Sequence, residues 1–93
     1  MSEKLTREEI IRRGESAGYL LANPSALAAW EAIQAECAEA WANSGPHQQE
    51  LRDDAYRLSR SIKLVRLKLE TWAAEAATEI HNSERDRKVS QYA

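Results

Sequence analysis

His47, His81, Cys37 and a run of cations between Arg57 and Lys68 are the side chains here whose types could support chemistry, and their spacing argues against catalysis. The two histidines fall at opposite ends of the longest expected helix, so they cannot share a metal ion within one subunit. Cys37 is the only cysteine, which excludes an internal disulfide and fits a reducing compartment. It lies on an apolar stripe with no nearby basic residue to lower its pKa, so it reads as a packed thiol and not as a nucleophile. No glycine-rich phosphate loop, metal-ligand spacing or catalytic triad is present, and the acids are scattered over polar faces. The expectation is a protein that is not an enzyme and takes no cofactor.

Arg57, Arg60, Lys63, Arg66 and Lys68 form a candidate basic patch, with no acid between Arg57 and Lys68. It could meet phosphate or an acidic protein surface. The expected role is a solvated face that neutralises Glu31, Glu36 and Glu39 of the preceding helix, a segment that contains no base. The formal net charge of −2 argues against nucleic acid as a partner, because such binders carry a clear basic excess. Tyr56, Leu64 and Leu67 lie on the same side as these cations and read as a second contact surface.

The elements that must position these groups are helices. Thr6-Arg7-Glu8-Glu9 has the form of a capping box opening a first helix over 7–22. Gly14 and Gly18 lie on its apolar stripe, which implies either a weak helix or close approach of another backbone. Asn23-Pro24 ends that helix and opens a second over 24–43, with Asn23 as cap and Pro24 at the first position. Leu27, Trp30, Ile33, Cys37 and Trp41 fall on one face of it, with Trp30 and Trp41 as expected core anchors. Asn43-Ser44-Gly45-Pro46 reads as a stop and restart, with Gly45 left-handed and Pro46 opening a third helix over 46–82. So short a connection makes the second and third helices antiparallel neighbours. The fold expected is all-α: an antiparallel hairpin with a long C-terminal helix and a shorter N-terminal helix, in a single domain over 1–82, then a solvated polar tail over 83–93.

Leu51, Ala55, Leu58, Ile62, Val65, Leu69, Trp72 and Ala76 are spaced 4-3-4-3-4-3-4 along the third helix. An apolar repeat every 3.5 residues specifies a partner helix, since the stripe cannot be buried by its own helix. The second helix is long enough to cover the seam from Leu51 to about Val65. Leu69, Trp72, Ala76 and Ile80 then need cover from the first helix or a second subunit, and Trp72 is the expected interface anchor. Ninety-three residues with many alanines and no phenylalanine give a thin core, so self-association is the default expectation. No apolar run approaches the ~20 residues of a membrane span, and the first residues carry no apolar signal-peptide core. The expectation is a soluble intracellular protein.

The run Arg13-Gly14-x-x-Ala17-x-x-Leu20-Leu21-x-Asn23-Pro24, followed by Ala29, Ile33, Glu36, Ala40-Trp41, Ser44 and Arg52, resembles small helical proteins of tailed phages and prophages. Those proteins are encoded near portal, terminase and head genes. The resemblance covers about residues 13–70 and does not extend to the polar tail. It brings no catalytic residue with it. It implies a viral protein of virion assembly or structure, in the host cytoplasm or the virion, whose partner is itself or a phage structural protein. Two other roles fit the same residues: a small inhibitor that blocks a host nuclease or polymerase, and a DNA-packaging accessory acting through the basic patch.

Overall fold

The computed structural model describes residues 4–91, which form three helices and no strand. They are α1 (Arg7–Ala22), α2 (Pro24–Ala42) and α3 (Gln49–Gln91). The fold is all-α, with a hairpin and a long C-terminal helix. The chain divides into two compact units. One is the hairpin unit, Ala22–Leu67; the other joins the residues up to Leu21 with those from Lys68 onward. α3 contributes its first part to the former and its remainder to the latter.

Local chemistry sets the helix starts. At α1 the capping box closes in both directions: the Glu9 amide donates to Thr6 Oγ1 at 3.2 Å and the Thr6 amide donates to Glu9 Oε1 at 3.1 Å. Bonds donated to the carboxylate favour its ionised form, so the Thr6 backbone amide first, and the Thr6 side chain second, hold Glu9 below the usual glutamate range. At α2 the Ala26 amide donates to Asn23 Oδ1 at 3.0 Å, with Pro24 at the first helical position.

The turn between α2 and α3 differs from the expected cap. No glycine has a positive φ among the described residues. Asn43 ends α2 by donating its amide to the Glu39 carbonyl at 2.9 Å. Gly45 through Gln48 then form a turn, closed by the Gln48 amide on the Gly45 carbonyl at 3.0 Å and by the Gly45 amide on Gln48 Oε1 at 2.6 Å. Pro46 therefore sits inside the turn, where its preset φ suits the second position, and α3 begins at Gln49 rather than at 46. Arg52 ties α3 back to this turn, donating to the Gly45 carbonyl at 2.7 Å and to Ser44 Oγ at 3.2 Å.

The far end of α3 corrects a second expectation. The polar stretch expected as a tail from 83 is helical through Gln91; the expected tail residues Tyr92 and Ala93 lie outside the described residues. Lack of apolar content does not stop a helix that is already nucleated, because each further residue adds one hydrogen bond without a new nucleus. Glu84, Arg85, Arg87, Lys88 and Gln91 are good helix formers, and Lys88 in the last turn complements the helix dipole.

In the unit built from α1 and the later part of α3, small residues make the contact. Ala17 and Ala76 are buried, and a Cβ placed on Gly14 would overlap Ala76 Cβ and the Trp72 carbonyl oxygen. Gly18 faces open space. Close approach is thus the meaning of Gly14 alone. The two helices run antiparallel, as the ion pairs show: Arg13 to Glu75 at 3.0 Å, and Arg7 to Glu79 at 2.9 Å and Asp86 at 3.2 Å. The Arg13 guanidinium also lies 4.5 Å from the centre of the Trp72 ring. Exposed pairs of this kind fix register more than they stabilise.

Candidate interaction surface

In the hairpin unit, α2 packs antiparallel on the first part of α3. Cys37 and Ala55 are its buried side chains. Register is set by a reciprocal polar pair: Gln34 Nε2 donates to the Ser59 carbonyl at 3.0 Å, and Ser59 Oγ donates to Gln34 Oε1 at 2.6 Å. Further along the hairpin, Arg66 stands 5.9 Å from the centre of the Trp30 ring, near the limit for a cation–π contact.

This packing splits the heptad seam into its two rows. Ala55, Ile62, Leu69 and Ala76 form one row, and each is buried or half-buried. Leu51, Leu58, Val65 and Trp72 form the other; the first three are about half exposed, and Trp72 is half-buried. The reason lies in α2. Its stripe toward α3 carries Trp30, Gln34 and Cys37, and beside Leu51 and Leu58 it offers only Glu36, Cys37 and the short Ala40. A shallow groove of about 240 Å³ remains beside that row, lined by Glu36, Cys37, Ala40, Leu51, Asp54, Ala55 and Leu58. It is smaller than the roughly 300–1,000 Å³ of small-molecule sites. It is a helix flank and not a ligand pocket.

The accessible apolar surface is therefore displaced from where the seam alone places it. Of the expected interface residues, Ala76 is 3% exposed against Gly14 and cannot anchor a partner. Leu69 and Trp72 are half-buried, Trp72 beneath Arg13, and Ile80 is at the margin of exposure. Tyr56, Leu64 and Leu67 are exposed. Trp41, expected as a core anchor, is exposed too. The hairpin unit thus shows seven large apolar side chains (Trp41, Leu51, Tyr56, Leu58, Leu64, Val65 and Leu67) that are 44–60% exposed. Sequence spacing misses Leu51, Leu58 and Val65 as surface residues because it credits a single partner helix with covering both rows of the seam.

Arg57, Arg60, Lys63, Arg66 and Lys68 are all exposed. The expected neutralisation across the hairpin does not occur: Arg57, Arg60, Lys63 and Lys68 form no ion pair with Glu31, Glu36 or Glu39. Arg57 instead approaches Asp54 of its own helix at 3.5 Å. The α2 stripe that meets α3 carries Trp30, Gln34 and Cys37, and the three acids lie off it on the helical repeat.

Among the described residues there is no group of three or more histidine, cysteine, aspartate or glutamate side chains that could hold a metal ion, and no helix is long and apolar enough to cross a membrane. Compared with models of protein families, with curated proteins and with solved structures, the chain matches none.

Proposed function

We propose that this protein acts without catalysis, as a helix-packing module that presents the open flank of its hairpin unit to another protein. One observation carries this reading: seven large apolar side chains are about half exposed in a unit whose buried side chains are Cys37 and Ala55. On α3 they fall into two faces, Leu51, Leu58 and Val65 on the open flank and Tyr56, Leu64 and Leu67 on another, and exposed apolar surface of this extent on a small domain marks contact sites. The resemblance of residues 13–70 to small helical proteins of tailed phages adds a context. In that context the module serves head or head–tail assembly, or forms a minor virion component.

Photo-cross-linking in the producing cell tests this, with a benzophenone amino acid replacing the exposed Leu64. The expected result is a discrete adduct with a protein. Portal, coat or terminase protein supports the assembly role; a single stoichiometric host enzyme replaces it with the inhibitor role. Absence of any protein adduct overturns the reading. The exposed cations also favour a second reading, a DNA-packaging accessory. A steep fall of log affinity with log salt would support it, and no DNA binding at low salt would remove it.

A further inference from the structure

On the strength of that reading, we infer that the occupant of the open flank is a second copy of this chain, its α3 lying antiparallel on the first with the twofold near Ser61. The heptad position next to the exposed Leu58–Val65 row is held by Asp54, Ser61 and Lys68, all exposed. Beside Leu58 and Val65 this row reads acid, neutral, base, before Glu75, which is held by Arg13. Such a row is its own complement when reversed. An antiparallel pair sets Asp54 against the partner's Lys68 twice, once at each end, and lays Leu58 against the partner's Val65. A parallel pair would set like charges together at both ends. Positions flanking an apolar row choose the orientation of a coiled-coil pair in this way. Asp54 already meets Arg57 at 3.5 Å, a long pair between largely exposed side chains, so its second oxygen stays open to the partner's Lys68. Two hairpins joined on this flank supply four helices, the number that closes a bundle core.

Charge reversal tests the pairing without touching the core. Sedimentation equilibrium of the full chain should show a monomer–dimer equilibrium. Asp54→Lys and Lys68→Glu should each raise the dissociation constant about ten-fold, since the twofold turns two attractive contacts into two repulsive ones. An equimolar mixture of the two variants should recover tight association as a heterodimer, because one copy then carries both bases and the other both acids. The double variant D54K/K68E should recover it as a homodimer. A wild type that stays monomeric at its highest soluble concentration, or variants whose mixture gains nothing, would overturn the inference. A monomer that still gives a Leu64 adduct with a different protein removes self-pairing and leaves the interaction module standing. A monomer with no adduct removes both.

Discussion

Gly14 and Gly18 are four residues apart on one face of α1, and substitution by alanine is expected to move stability in opposite directions. In an exposed helix interior alanine is favoured over glycine by about 1 kcal/mol. A Cβ on Gly18 would meet nothing within 4 Å, so Gly18→Ala should show that gain in full. At Gly14 the added carbon overlaps Ala76 Cβ and the Trp72 carbonyl oxygen. The carbonyl belongs to the middle of α3 and cannot swing away as a long side chain would. Overpacking of this kind costs about 1–3 kcal/mol, which outweighs the propensity gain. Gly14→Ala should therefore be destabilising by up to about 2 kcal/mol, and the two variants should differ by roughly 1–3 kcal/mol. For a domain of this size that separates their Tm values by about 5 °C or more. Urea and thermal unfolding followed by far-UV circular dichroism, at one protein concentration, read this directly. If Gly14→Ala stabilises as much as Gly18→Ala, the close approach of α1 to α3 is wrong, and the cover assigned to Trp72 and Ala76 goes with it.

Three further outcomes test the remaining contacts. Ser59→Ala removes a donor from the part-buried Gln34 Oε1 and should cost about 1 kcal/mol in urea unfolding, more than an exposed serine would. Arg13→Met removes the ion pair to Glu75 and the contact over Trp72, together worth about 1 kcal/mol at a half-exposed site. It also removes Arg13 Nε, which is buried with no hydrogen-bond partner, so the two effects should nearly cancel; a loss above about 2 kcal/mol would refute this balance. Glu9 has a lowered pKa in the folded chain, so its contribution is fully present above the ordinary glutamate pKa and is lost as the pH falls through the lowered value. Carboxyl NMR should show Glu9 titrating below a free glutamate, and Thr6→Ala should raise it only part of the way back, because alanine keeps the backbone amide that donates to Glu9 Oε1.

What is legible in the residues is whatever is decided within one turn of helix. Thr6 with Glu9 and Asn23 with Pro24 act on amides two to three residues away, and both caps form as their spacing implies. Features decided by a distant neighbour are not legible. Gly14 and Gly18 are equivalent in the sequence, and only the position of Ala76 and Trp72 separates them. The expected restart at Pro46 gives way to a turn, with the Gln48 amide on the Gly45 carbonyl, and the helix begins at Gln49. The heptad spacing names the residues of the seam, but spacing cannot say which of two rows a partner covers. That depends on side-chain reach, and beside Leu51 and Leu58 α2 presents the short Cys37 and Ala40.

The same shortness of side chain links stability to association. No large side chain is fully buried among the described residues, and the core side chains are Ala17, Cys37, Ala55 and Ala76. At about 25 cal/mol per Å² of apolar area, burying an alanine contributes far less than burying a leucine, while the backbone cost of ordering each residue is the same. The larger side chains that could redress this, Leu51, Leu58 and Val65, stand half outside the core. A partner that covers them adds its contribution to folding itself, because it binds the folded chain and not the unfolded one. The midpoint of thermal unfolding should then rise with protein concentration if the partner is a second copy. Under the charge-row argument, Lys68→Glu should flatten that dependence, and adding Asp54→Lys to the same chain should restore it.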